Sequence, residues 1–348
     1  MKKRSIAVAL AITLATSLTA CGTKSSDNTK DNTNESQNSF KVSMVTDTGG
    51  VNDQSFNQSA WEGLTKLSED YGVKTSYIES VQESDYASNL DKMVDNGNDL
   101  IWGIGFAISE AVATAAEMNP DRSYAIVDHA YENTLPNVTG VVFRGQEGGF
   151  LAGYIAGRTT KTDKVGFVGG IANDILEQFE YGYRAGVAYA ADELGKDIEV
   201  VVQYAESFGD AAKGKAIATS MYSNGCDVIF HAAGNAGTGV IEAAKEINKW
   251  VIGVDRDQSY LAPDNVLTSV IKRVDNAIYK VTQEKMNGTE IGGQTLVYGC
   301  AEEAIGLAPY HTNLDKDVYD AAMEIQQQIV DGTIVPPYNA ETFDAFMK

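Results

Sequence analysis

The sequence predicts an α/β molecule of two doubly wound, parallel-sheet lobes, and three observations carry that prediction. From residue 40 onward, apolar runs of strand length alternate with amphipathic helical patterns, as in parallel sheets covered on both faces. The alternation runs in two successive series. Glycines, aromatics and carboxylates recur just after the strands of both series, which is the edge where open α/β sheets bind ligands. The length of 348 residues agrees with two domains, since single cores stop growing near ~250–300 residues.

The first series opens with KVSMVT at 41–46, alternating in the manner of a strand. A helix is predicted over 55–71, where Phe56, Ala60, Leu64, Leu67 and Tyr71 share one face and Gly72 stops it. A strand at 74–79, a helix at 85–96 and a strand at 100–105 come next, then a helix at 109–119 and strands at 124–127 and 138–143. A helix at 148–160 closes the series. The second begins with a strand at 164–168 and a long helix at 175–194, stopped by Gly195. A strand at 199–204 leads to a helix at 210–224, for which Asp210 is the natural N-cap. Strand, helix and strand come next at 227–231, 237–247 and 251–254, then a strand at 267–271 and helices at 274–287 and 316–331. No fixed-period repeat is present.

The residues just past each strand define the candidate site. Asp47 and Gly49-Gly50 succeed the first strand, ahead of a helix that opens Ser55-Phe56-Asn57. Gly105-Phe106 succeeds the apolar run 100–104, and Asp128 the strand at 124–127. Ser207-Phe208, then Gly234, Gly237 and Gly239, then Asp255 and Lys272 succeed strands of the second series. Ionised carboxylates only accept hydrogen bonds, so Asp47, Asp128 and Asp255 suit a donor-rich ligand. Phe56 and Phe208 offer flat faces for a planar ring. Three carboxylates against Lys272 disfavour a phosphate, so the ligand class is a neutral, flat, hydroxylated molecule: a nucleoside rather than a nucleotide. Each residue also has a plainer reading. An Asp after a strand often caps a turn, Phe56 fits a helix core face, and the glycines fit simple turns.

Charge supports the same exclusions. There are 27 Lys and Arg against 48 Asp and Glu, a net charge of −21. Losing Lys2, Lys3 and Arg4 leaves 24 bases against 48 acids, or −24. Such a surface repels phosphate backbones and anionic lipid, so no nucleic-acid partner is expected. Hydrophobic residues at 43 % are ordinary for a globular chain.

The N-terminus reads as a signal peptide. The basic Lys2-Lys3-Arg4 precedes an apolar run over 6–18, too short for the roughly 20 residues that span a bilayer. Leu18-Thr19-Ala20-Cys21 ends it and resembles a bacterial lipobox, which implies acylation of Cys21 and attachment to a membrane by lipid alone; the competing reading is an ordinary secretory signal. Residues 22–39 are Gly, Ser, Thr, Asn, Asp, Gln, Glu and Lys, a composition that buries no core. They would form a disordered tether with an r.m.s. reach of about 24 Å. Cys226 and Cys300 could pair in an oxidising compartment, but Cys226 heads a predicted strand and fits a buried free thiol better.

The run Asp47-Thr-Gly-Gly-Val-Asn-Asp53-Gln-Ser-Phe56-Asn57-Gln-Ser-Ala-Trp61-Glu-Gly63 resembles the signature of the basic membrane protein family, nucleoside-binding lipoproteins of ABC importers. The resemblance continues through Val127-Asp128, Gly145–Gly153, Ser207-Phe208-Gly-Asp210, the glycine-rich loop near 234–239, Val254-Asp255 and Ile271-Lys272. It implies a periplasmic-binding-protein type I fold with a three-stranded hinge, a purine nucleoside in the cleft, an ABC permease and its ATPase as partners, and a monomer on the extracytoplasmic face of a membrane. By the same implication Phe56 and Phe208 sandwich the base, Asp47, Asn57 and Asp128 surround it, and Gly234, Asp255 and Lys272 hold the ribose. The loop here reads Gly234-Asn235-Ala236-Gly237 where the family usually has Gly-Gly-Thr-Gly. The expected division is signal peptide 1–20, tether 21–39, first lobe 40–144 with 259–305, and second lobe 145–258 with 306–348.

Other functions compete. The same fold could hold a sugar or another small metabolite for uptake or sensing. A surface adhesin would suit the tether but leaves the strand-end residues unexplained. An enzyme is disfavoured. The glycines read GxxGxG rather than the dinucleotide fingerprint GxGxxG, and no GxxxxGK[ST] occurs. Asp255-Arg-Asp257 lacks a matching ligand cluster, and His129, His231 and His311 sit in no recognisable triad motif. No cofactor or metal is expected.

Overall fold

A computed structural model describes residues 40–348; the expected signal peptide and tether, Cys21 included, lie outside the described residues. The described residues build two six-stranded sheets. The first contains β1 (Lys41–Val45), β2 (Lys74–Ile78), β3 (Leu100–Ile104), β4 (Ser123–Val127), β5 (Val138–Phe143) and, from much later in the chain, β11 (Gln294–Tyr298). Their order is β11-β5-β4-β3-β1-β2 and every pairing is parallel. The second contains β6 (Lys164–Gly169), β7 (Glu199–Tyr204), β8 (Val228–Ala232), β9 (Trp250–Asp255), β10 (Val266–Lys272) and β12 (Ile305–Leu307). Its order is β12-β10-β9-β8-β6-β7, parallel except for the short edge strand β12. Position for position the two orders match, so each lobe repeats the other's winding.

The first sheet carries α1 (Phe56–Tyr71), α2 (Tyr86–Asp95) and α3 (Ser109–Met118). The second carries α4 (Gly145–Thr159), α5 (Asp174–Leu194), α6 (Ala211–Ser223) and α7 (Gly234–Ile247). Further along come α8 (Val274–Met286), α9 (Lys316–Val330) and α10 (Ala340–Phe346). Local chemistry places several ends where expected: Gly72 and Gly195 stop α1 and α5 in left-handed conformation, and the Asp210 carboxylate caps α6 by accepting from Lys213 N at 3.0 Å. The central strands are buried, with Met44, Trp102, Tyr124, Phe167 and Phe230 at their cores. The Trp102 indole donates to Thr282 Oγ1 at 3.0 Å, tying α8 to the first sheet.

One expected boundary moves. The division at 258 would put residues 259–305 in the first lobe, but β10 pairs with β9 in the second sheet. The chain therefore returns to the first lobe after Lys272, and α8 then packs on α1 so closely that a side chain at Gly63 would meet the Asp275 carbonyl. The three crossings are bound to one another: Arg144 N donates to Tyr298 O at 2.7 Å, and Arg273 N to Ala304 O at 2.8 Å. The segment near 234–239 also differs from expectation. It is the first turn of α7, not a loop, and a side chain at Gly239 would collide with the Ala211 carbonyl of α6. Gly239 serves helix packing. Cys226 and Cys300 are both free and buried.

Candidate functional site between the lobes

The carboxyl ends of the two sheets face each other across a cavity. The eight residues to which the family resemblance gives a ligand contact line it, Asp47, Phe56, Asn57, Asp128, Phe208, Gly234, Asp255 and Lys272, whereas Gly49, Gly50, Ser207, Gly237 and Gly239 do not. The first lobe contributes Asp47 after β1, Phe56 and Asn57 at the head of α1, and Asp128 after β4. The second contributes Phe208 after β7, Gly234 after β8, Asp255 at the end of β9 and Lys272 at the end of β10.

The carboxylates are held in a defined network. Asp47 Oδ1 accepts from Gly49 N and from Asn57 Nδ2, each at 2.8 Å. Asp53 sits behind them and accepts from three backbone amides at the start of α1: Ser55 and Asn57 at 2.9 Å and Gln58 at 3.1 Å. Burial raises Asp47 above the usual carboxylate range, against the hydrogen bonds from Asn57 and Gly49 that lower it. Burial likewise pushes Asp53 up to about 6, the same three amides opposing it. Asp255 is also raised to about 6 by burial, with Lys272 and the Ser55 hydroxyl, which donates to it across the cleft, pulling it down.

Lys272 is 3 % exposed and donates to Asp128 Oδ2 at 2.5 Å, a buried ion pair joining the lobes. Its ammonium lies 4.7 Å from the Phe56 ring centroid and 5.0 Å from that of Phe143. With one Asp128 oxygen engaged, Oδ1 is buried with no partner, and so is Asn57 Oδ1. Unpaired buried acceptors cost ~1–3 kcal/mol each, which a donating ligand would recover.

Backbone strain marks the same positions. Asp128 and Asp255 occupy matched places in the two sheets and adopt φ of +63° and +66°. Left-handed backbone at a non-glycine residue is uncommon and concentrates at functional sites. Gly105 has φ +99°, and a side chain there would press on Asp47 and the Phe56 ring.

The lining also holds Gly105 and Phe106, noted past a strand but assigned no ligand contact, and Asp53, Ile175, Leu176 and Phe179. Phe106 had a signal, standing just past a strand as part of Gly105-Phe106, and it packs edge-on to Phe208 with centroids 6.2 Å apart. Ile175, Leu176 and Phe179 lie on the first turns of α5, where their spacing reads as an ordinary helix core face. Among the described residues, no group of three or more His, Cys, Asp or Glu is placed to hold a metal ion.

Fold and cavity together define a two-lobed solute-binding protein. The chain belongs to the Bmp family, described as PnrA-like ABC transporter substrate-binding proteins, whose family model matches residues 40–340. It is 43 % identical over 319 residues to the CD4+ T-cell-stimulating antigen of Listeria monocytogenes, covering 86 % of this chain and 88 % of that one. It is 42 % identical over 313 residues to basic membrane protein A of Borreliella afzelii, covering 88 % and 94 %. Among solved structures, an ABC transporter solute-binding protein from Aeropyrum pernix K1 superimposes with a TM-score of 0.80 at 28 % identity, covering 88 % and 96 %.

Proposed function

We propose that this substrate-binding protein takes a purine nucleoside into the interlobe cavity and delivers it to an ABC permease driven by its ATPase. The observation that carries the reading is the pair of unpartnered buried acceptors, Asp128 Oδ1 and Asn57 Oδ1, in a cavity walled by Phe56, Phe106, Phe179 and Phe208. Flat apolar walls suit a base, and the acceptors suit its ring N–H groups or the ribose hydroxyls. Phe56 and Phe208 would flank the base, with Asp47, Asn57 and Asp128 around it. Gly234, Asp255 and Lys272 would hold the ribose.

The cavity draws its walls from both lobes. Its charged lining is four carboxylates (Asp47, Asp53, Asp128, Asp255) against Lys272, whose charge Asp128 already engages. A phosphate would meet net repulsion. Ligand contacts to both lobes would favour the closed arrangement over an open one. Nothing in this reading requires catalysis. The body would work as a monomer on the extracytoplasmic face of a membrane, held through acylated Cys21, a claim that mass spectrometry of the mature N-terminus tests.

Calorimetric titration with inosine, guanosine, adenosine, ribose and inosine 5′-monophosphate tests the ligand class. Nucleosides should bind and ribose should bind far more weakly. Comparable binding of ribose alone would instead favour a sugar-binding role.

A further inference from the structure

The polar contacts that cross the cleft away from the hinge are not spread evenly. Apart from the ion pair at Lys272, among the described residues they join one short stretch of the first lobe, 54–62, to one short stretch of the second, 255–260. Gln258 Nε2 donates to Gln54 O at 3.1 Å, and the Tyr260 hydroxyl donates to Gln54 Oε1 at 2.6 Å. Arg256 pairs with Glu62 at 2.9 Å, and Ser55 donates to Asp255. On another side of the cleft, Phe208 of the second lobe meets Phe106 of the first by ring edge, without a hydrogen bond.

Gln54, Gln258 and Tyr260 do not line the cavity. They are nevertheless built with care. Gln258 is fully buried; its Oε1 accepts from Val254 N at 2.9 Å and its own N donates to Ser269 Oγ at 3.0 Å, so the group that reaches across is fixed in the second lobe. Gln54 is held at φ +55°, a strained conformation that presents both its carbonyl and its side chain to the partner lobe. These contacts exist only when the lobes are together.

We propose that Gln54, Gln258 and Tyr260 form a latch, separate from the ligand contacts, that sets how long the lobes remain closed around a bound ligand. The inference rests on the reading that a ligand is held between closed lobes. A contact present only in the closed state raises its population, and apparent affinity scales with the fraction competent to hold ligand. Encounter takes place on the open form, which lacks these contacts, so the latch acts on dissociation and leaves association nearly unchanged. The Arg256–Glu62 pair is partly exposed and adds little. Gln54, Gln258 and Tyr260 are positioning residues.

The test compares wild type with Tyr260→Phe and Gln54→Ala. Tyr260 is half exposed, and loss of its hydroxyl leaves the fold alone. Stopped-flow displacement of inosine should show dissociation about three- to tenfold faster in Tyr260→Phe, the effect of one hydrogen bond, with association and the melting temperature of the free protein unchanged. The double variant should dissociate no faster than the faster single variant, because both changes remove the same bond. Pulsed EPR distances between labels on the exposed Ser84→Cys and Lys245→Cys positions, with and without inosine, give the closed fraction directly. That fraction should fall in Tyr260→Phe. Equal closed fractions, or equal dissociation rates, in wild type and Tyr260→Phe overturn the latch. Failure of inosine to bind wild type counts against the nucleoside reading instead, and the latch is then judged by the closed fraction of the free proteins.

Discussion

Asp128 and Asp255 hold the same strained backbone at matched positions of two sheets, and each is buried beside a donor from the opposite lobe. Burial has a consequence for pH. Asp255 is raised from 3.8 to about 6, so its folded form holds a proton more tightly than its unfolded form. The stability this contributes is fully present below about pH 4 and is lost as the pH rises through about 6. Ligand hydroxyls donating to Asp255 favour the ionised form, so binding should weaken as the pH falls through about 6. Titrations at about pH 7.5 and about pH 5 check this; equal affinity at both would remove Asp255 from the ligand contacts. Phe208 makes a second prediction. If it stacks on a base, Phe208→Ala should cost ~1–3 kcal/mol of binding, and unchanged affinity in a folded variant would remove it from the site. These strand-end residues were legible in the sequence because a polar or aromatic residue in a loop stands out from an apolar strand. Phe179 was not, because helical spacing gives a ligand wall and a core face the same pattern. Asp53 was visible in the motif, but its work on the backbone amides of α1 belongs to three-dimensional placement.

Helix packing explains much of the glycine content that a sequence cannot separate from loops. Gly149 and Gly153 of α4 and Gly182 and Gly186 of α5 let the two helices meet backbone to backbone; a side chain at Gly153 would fall 2.1 Å from the Tyr183 carbonyl oxygen. That α4 starts at Gly145, ahead of the expected 148, reflects this use, since the helix employs glycine as a contact surface. Gly153→Ala should destabilise the fold by ~1–3 kcal/mol through overpacking, read as a lower denaturation midpoint. A wild-type midpoint would show that the helices can separate without cost. Long periodic elements and their stops were legible from sequence. β11, β12 and α10 were not: β12 is three residues long, β11 comes after a Gly-Gly pair and carries polar residues, and α10 is seven residues long. The misplaced crossing at 258 has the same origin, because nothing in an apolar strand records which sheet it joins.

Across the described residues, two series of strand and helix fold into matched lobes, and their facing carboxyl edges line a cavity. That much is dictated by alternation and strand-end chemistry. The acidity of the chain, −21 overall, is mostly a solvated surface, but at the cavity it becomes four carboxylates facing one engaged lysine. A cavity of that charge is proposed to take a neutral nucleoside and reject its phosphorylated form. Calorimetric titration of inosine beside inosine 5′-monophosphate decides this. Inosine should bind saturably and the monophosphate at least about a hundredfold more weakly, since unpaired like charges cost several kcal/mol. Equal or tighter binding of the monophosphate would contradict it.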